Sequence, residues 1–371
     1  MLLMQNNRIK NLLLSLTAVM VIFFAAELYF SIEAWRKDGP VQQPQITAPK
    51  ETSNPTAAGA KPLAEAPGAP DSTPQQDTPF LTYEEYVLRG DPLIGYGPRP
   101  IEGRIHARLL SGDELVYDVV YSTLPSGWRV TPQNSGAETA VVIFGCSFTW
   151  GEGLADEETY PWKLAELLGS QYQVFNFGFQ GYGSHHMLAH LENGILDDLA
   201  ARYKKVYAFY TTIRGHELRC TGYSQWDPSG PWYGFEDDRI ARKGVFADSI
   251  SPLRPYTDAL FSGSMTYQKI LKTKFMPRYY RFKLHAGIIK EADRLIAESC
   301  GSRLVVILWP QVAFKEEIEA EKMPLLDLSS SFPDYDDNRD RYRLHPTDGH
   351  PNAAAAAITS EAIAEYIRMH P

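Results

Sequence analysis

From residue 139 to the C terminus, short unbroken apolar runs alternate with segments of helical period, and this pattern constrains the fold more than any other feature. Residues 139–144 (TAVVIF), 173–177 (QVFNF), 205–210 (KVYAFY) and 303–308 (RLVVIL) read as strands buried on both faces, and 324–328 as a fifth. Helical spacing falls at 160–168, 184–201, 281–299 and 352–369, the last opening on five consecutive alanines. Strands that alternate with helices predict an α/β domain with a parallel sheet covered on both faces. No internal repeat is visible.

The N-terminal third has a different character. Residues 12–30 are apolar apart from Glu27 and a few small polar residues. As a helix rising 1.5 Å per residue this stretch spans about 28 Å, close to the hydrocarbon thickness of a bilayer. A cleaved signal peptide and a retained anchor both fit; the poor A-x-A pattern around Ala25-Ala26 favours the anchor. Arg8 and Lys10 precede the stretch, while Arg36 and Lys37 follow it and blunt the charge bias that sets orientation. Nine of the 26 prolines lie between residues 38 and 79. That composition buries too little apolar surface to offset ordering entropy, so it predicts a disordered tether. Its reach as polyproline II is about 130 Å.

The expected organisation is therefore a transmembrane anchor (1–37), a Pro/Ala-rich linker (38–80), a β-rich extension (81–135) and a main domain (136–371). In a bacterium the anchor is that of a single-pass inner-membrane protein with a periplasmic head. Within the extension, 104–109 and 114–122 alternate around a Ser111-Gly112-Asp113 turn. It shows no chemistry of its own and is expected to pack on the main domain.

The net charge of −9 speaks against nucleic acid as a partner. The three cysteines fit neither a disulfide scaffold nor a CxxC metal site, and Cys220–Cys300 is the one pair that leaves out Cys146.

In an open α/β sheet, ligands bind outside the carboxyl ends of the strands. Three loops at such positions carry unusual residues: Gly145-Cys146-Ser147-Phe148-Thr149-Trp150-Gly151, Asn176-Phe177-Gly178-Phe179-Gln180-Gly181-Tyr182-Gly183, and Asp348-Gly349-His350-Pro351-Asn352. A serine hydroxyl attacks only when a base takes its proton, and an imidazole does so when a carboxylate orients it. Asp348 and His350 are spaced for that contact, with Ser147 as the nucleophile. The G-x-S-x-G elbow is excluded because Thr149 stands at its last position, and no Gly-Lys-Ser/Thr marks a P-loop.

These three blocks, in this order, resemble those of the SGNH/GDSL hydrolases, and in particular a membrane-anchored, polysaccharide-associated subgroup. Cys146 replaces the usual Asp of the first block. The resemblance implies a flavodoxin-like three-layer α/β/α sandwich and ester hydrolysis or acyl transfer without metal or cofactor. It implies Ser147 as nucleophile, His350 as base and Asp348 as orienting acid. Asn176, Gly178 and Gly181 form the second block, and the N–H groups of Ser147 and Gly181 bind the oxyanion. Two positions depart from the pattern. The usual acid position, three before the histidine, is Thr347, and the region after the third strand (residues 211–219) has no Asn. That region holds a His216-x-x-Arg219 pair, which makes His216 or Arg214 the candidate third donor.

Blander readings stand beside these. Ser147 suits a helix cap, and Pro351-Asn352 a helix start. His186 and His190 lie four apart on a predicted helix, but Met187 stands where a zincin needs Glu. Trp226, Trp232 and Tyr233, in a long insert, suit either sugar rings or simple packing. The sequence reading is thus a membrane-tethered esterase for an acylated small molecule or an O-acetylated polysaccharide. Its alternatives are a polysaccharide O-acetyltransferase with the same triad and a non-catalytic carbohydrate-binding or scaffold subunit of an envelope complex.

Overall fold

The computed structural model describes residues 79–222, 224, 226–248, 264 and 278–371. The chain divides into two units, Met1–Thr47 with Ile250–Pro277, and Ala48–Ser249 with Arg278–Pro371. The architecture below is that of the second. The expected anchor at 12–30, and the linker up to residue 78, lie outside the described residues. Among the described residues no helix is long and apolar enough to cross a membrane.

Five parallel strands form the centre: β1 (Thr139–Gly145), β2 (Tyr172–Gly178), β3 (Lys205–Thr212), β4 (Leu304–Leu308) and β5 (Leu325–Asp327). Their spatial order is 2-1-3-4-5. This is the flavodoxin-like order, whose ligand crevice opens where the winding reverses beside the first strand.

Successive strand residues face opposite sides, so an unbroken apolar strand feeds two cores. Ala140, Val142 and Phe144 of β1 enter one core with Leu304, Val306 and Leu308 of β4. Val141 and Ile143 enter the other with Val305 and Ile307. The Ser184–Glu192 and Arg278–Cys300 helices cover the first face. The Tyr160–Leu168 and Ala353–Met369 helices cover the second. Each such aliphatic side chain contributes about 1.5–3 kcal/mol when fully buried. The expected single helix over 184–201 is in fact two, Ser184–Glu192 and Asp197–Arg202. Gly194 lies between them at φ +75°, in the left-handed region that ends a helix.

The extension is a hairpin, Gly103–Ser111 with Glu114–Thr123, flanked by a parallel Phe80–Leu81 strand and a second hairpin, Val87–Asp91 with Gly95–Pro98. It packs on the main domain through aromatic rings. Tyr121 meets Trp150 edge-on at 4.3 Å, and Tyr86 and Tyr96 lie against Phe179. Arg129, fully buried, binds Asp156 at 3.0 Å and donates to the carbonyls of Trp150, Gly151 and Leu154. A buried guanidinium is tolerable only when its donors are filled, and here they brace the turn after the Ser147–Trp150 helix. The long insert holds the hairpin Pro231–Glu236 with Arg239–Val245.

Candidate active site

β1 ends at Gly145, and the chain turns at once into a four-residue helix, Ser147–Trp150. Two glycines permit this turn. A Cβ on Gly145 would lie 1.9 Å from Thr149 Oγ1, and one on Gly178 would lie 2.6 Å from both Thr149 Cβ and the Trp150 nitrogen. Gly178 therefore serves close packing of the nucleophile helix on β2. Asn176 is likewise occupied: its Nδ2 donates to Thr149 O at 3.0 Å, and its Oδ1 accepts Gly178 N–H at 3.0 Å. Both residues of the second block hold the turn that carries Ser147 in place.

Ser147 Oγ lies 2.9 Å from His350 Nε2. His350 Nδ1 lies 2.7 Å from Asp348 Oδ1, which also accepts the His350 backbone N–H at 2.8 Å. The spacing works because Asp348–Pro351 is a strand, paired with Arg343–His345, and residues two apart on a strand share a face. With Nδ1–H donated to Asp348, the neutral ring presents the Nε2 lone pair to the serine hydroxyl. Thr347 turns the other way: its hydroxyl donates to Ser111 Oγ at 3.0 Å, while His345 Nε2 sits 3.1 Å from Glu114 Oε2. The tip of the extension hairpin thus clasps the hairpin that carries the base.

Burial pulls the His350 pKa down, but the Asp348 hydrogen bond, the Glu152 charge and the Asp348 charge outweigh it. The result lies above the ordinary histidine value, with Arg219 opposing. Burial works against ionised Asp348, yet its bonds to His350 leave its pKa below the usual carboxylate range.

Gly181 has φ +76° and sits in the turn closed by Tyr182 N–H on Phe179 O at 3.2 Å. A side chain there would meet Tyr96 Oη at 2.5 Å and Trp226 Nε1 at 2.7 Å. The carbonyls on either side of Gly181 are both held: Tyr96 donates to Gln180 O at 2.8 Å, and Arg219 Nη1 to Tyr182 O at 2.7 Å. Such anchoring fixes the orientation of the loop amides without consuming the Gly181 N–H. Of the His216-x-x-Arg219 pair, Arg219 is the member that holds the Gly181 loop. His216 is fully buried, its Nδ1 2.7 Å from Tyr210 Oη, in a chain of polar groups that runs through Thr212 to His285 and Ser184. Arg214 is exposed and has no ion pair among the described residues. Among the described residues neither has a hydrogen bond or ion pair with Ser147, His350 or Asp348.

The aromatic candidates separate. Trp226 is 53 % exposed beside Gly181. Trp232 is half-buried in the insert hairpin. Tyr233 is fully buried and donates to Glu192 at 2.5 Å, so it is a core residue.

His186 and His190 do not converge on one point, because Tyr182 stands with both: its ring stacks on His186 at 4.1 Å and its hydroxyl lies 3.2 Å from His190 Nε2. His185, His186 and Asp227 do converge, with both Nε2 atoms 3.1–3.3 Å from Asp227 Oδ2. Their polarity suits hydrogen bonding better than metal ligation. His186 Nδ1 accepts the Gly183 N–H, so the neutral ring carries its proton on the nitrogen that faces Asp227. This network ties the insert to the loop that carries Gly181. All three cysteines are free thiols, and Cys146 points into the second core.

Four residues at or around the site have no motif of their own: Arg129, Glu152, Tyr96 and Asp227. A signal existed only for Glu152, which lies one residue beyond the first block.

No family model matches the chain, and no curated protein matches it. Solved structures do. A lipolytic protein of the G-D-S-L family from Veillonella parvula DSM 2008 is similar at 11% identity over 61% of this chain and 97% of its own, with a TM-score of 0.37. A two-domain esterase active on acetylated mannans is similar at 13% identity over 63% of this chain and 50% of its own, with a TM-score of 0.36. Est24, a carbohydrate acetylesterase from Sinorhizobium meliloti, is similar at 11% identity over 63% of this chain and all 100% of its own, with a TM-score of 0.35.

Proposed function

We propose that the chain is a serine esterase of the SGNH/GDSL type, acting on O-acetyl esters of a carbohydrate outside the cytoplasm. The observation that carries this reading is the unbroken series Ser147 Oγ, His350 Nε2, His350 Nδ1, Asp348 Oδ1, with contacts of 2.9 Å and 2.7 Å. A serine serving only as a cap needs no imidazole, and a surface histidine needs no carboxylate.

Ser147 Oγ attacks the ester carbonyl as His350 Nε2 takes its proton. The tetrahedral oxyanion is held by the N–H groups of Ser147, at a helix start, and Gly181. The C–O bond to the alcohol breaks, and the imidazolium returns its proton to the departing oxygen. Water then gives a proton to His350, attacks the acyl-enzyme and releases the carboxylic acid, restoring Ser147. Asp348 stabilises the imidazolium and stays ionised throughout.

The apolar stretch at 12–30 and the proline-rich tether after it support an anchored, extracytoplasmic head. The exposed Trp226 beside Gly181 supports a sugar-bearing substrate.

The test uses the full-length protein in detergent, p-nitrophenyl acetate and a fluorophosphonate probe. Turnover and labelling are expected in the wild type and absent in Ser147→Ala and His350→Ala. Turnover that survives in Ser147→Ala sinks the reading. Acetate release measured with and without added oligosaccharide separates hydrolysis from transfer.

A further inference from the structure

Ester cleavage has two sides, and the alcohol side is defined by one atom. The proton leaving Ser147 must pass from His350 Nε2 to the alcohol oxygen, so a side chain beside Nε2 other than Ser147 lies near where the alcohol leaves. In this protein that group is Glu152, whose Oε2 lies 3.5 Å from His350 Nε2.

Its position follows from the end of the nucleophile helix. Gly151 adopts φ 87°, ψ 52°, the left-handed conformation that reverses the chain. The N–H groups of Gly151 and Glu152 then both donate to Ser147 O, at 2.8 Å and 3.0 Å. Glu152 is thereby returned to the residue that starts the helix. Its side chain is 25 % exposed, and among the described residues His350 is its only ion-pair partner. The carboxylate therefore keeps acceptor capacity to spend on hydroxyl donors.

The extension walls this space. A Cβ on Gly153 would lie 2.8 Å from Tyr117 Cδ1, and the Gly153 N–H donates to Tyr121 Oη at 2.9 Å. The Tyr117 ring therefore stands against the residue that follows Glu152. Burial, reinforced by Asp348, holds Glu152 above the usual carboxylate value, against His350 and Arg219.

An acceptor-only carboxylate with a tyrosine ring against the next residue suits a polyol. It accepts from hydroxyls, the ring covers the apolar face of a sugar, and a second anion is repelled. We propose that Glu152 and Tyr117 form the alcohol-side subsite, which takes a neutral sugar and disfavours an anionic one. The proposal rests on the esterase reading and makes the β-rich extension part of the site. The same subsite receives any sugar acceptor, since transfer is the reverse of cleavage at this side.

The experiment compares kcat/KM for three esters: p-nitrophenyl acetate, an acetylated neutral cello-oligosaccharide and an acetylated oligogalacturonate. It uses the full-length wild type, Glu152→Gln and Tyr117→Ala. A lost hydrogen bond to a charged group lowers the neutral-sugar to aryl-acetate ratio by about tenfold or more in Glu152→Gln, chiefly through KM. Relief of like-charge repulsion raises the galacturonate to neutral-sugar ratio by about fivefold or more. Tyr117→Ala raises KM for the neutral sugar by about fivefold. Ratios within twofold of wild type in both variants, with aryl acetate still turned over, overturn the subsite and leave the esterase reading intact. If the wild type turns over none of the three esters and Ser147 is not labelled, both fall together.

Discussion

Asp348 Oδ1 takes two hydrogen bonds from one residue, the backbone N–H and the Nδ1 of His350, at 2.8 Å and 2.7 Å. The carboxylate thus fixes both the peptide and the ring of the base. Asp348→Asn removes the charge and favours the wrong tautomer, with kcat expected to fall by about 10²–10⁴-fold.

The pH profile carries a sign. Catalysis needs neutral His350, so kcat/KM rises with pH through the His350 pKa, which lies above the ordinary value. Asp348 and Glu152 raise that pKa, while burial and Arg219 lower it. Asp348→Asn and Glu152→Gln therefore move the acid limb to lower pH, and Arg219→Ala moves it higher. Profiles of p-nitrophenyl acetate hydrolysis check all three, and an unmoved limb in Glu152→Gln contradicts the 3.5 Å contact.

Arg219 acts through the loop. Its bond to Tyr182 O holds the turn that carries Gly181, and it touches no reacting atom. In Arg219→Ala, kcat is expected to drop by about tenfold with KM little changed, because a loosened donor costs most in the transition state. Partial recovery of kcat in Arg219→Lys is the accompanying readout; a loss confined to KM contradicts this role.

Gly178→Ala places a methyl 2.6 Å from backbone and side-chain atoms of the nucleophile helix. Overpacking of this kind is expected to cost about 1–3 kcal/mol or more, read as a lower urea midpoint. Gly136 has open space around it and an ordinary φ, so Gly136→Ala is the control, with a midpoint within error of wild type.

Three buried histidines predict acid sensitivity. Burial lowers the pKa of His185 to about 3, of His190 to about 4 and of His285 to about 3. The unfolded chain takes up these protons first. Stability is therefore full above the unfolded value of about 6.5 and falls as pH drops towards the folded values, by about 2 kcal/mol per histidine at pH 5. Asp227, held near 2, adds its loss only below about pH 4. Urea midpoints at pH 7.5 and pH 5 measure this, and His190→Gln is expected to show a smaller difference between the two.

Much of this was legible locally. The apolar runs of β1, β3 and β4 marked strands covered on both faces, because only such strands need no polar alternation. The i, i+2 spacing of Asp348 and His350 was readable because a strand puts both on one face. The Tyr160–Leu168 helix carries its own signals, Thr159 accepting from Trp162 N–H at its start and Gly169 at φ +73° at its end. The long helix over 184–201 was misread because its apolar period continues across Asn193-Gly194, while the break depends on one glycine's backbone.

What the amino-acid order alone determined was most of the strands and helices and the pairing of Asp348 with His350, since both rest on periodicity and short spacing. Only the tertiary structure decided which polar groups face the reacting atoms. Asn176 and Gly178 were drawn into packing, His216 into a buried chain, and Glu152 to within 3.5 Å of His350 Nε2. The reason is physical: a side chain's role depends on what lies within a few ångströms of it, and for Ser147 that neighbour is 203 residues away in the chain.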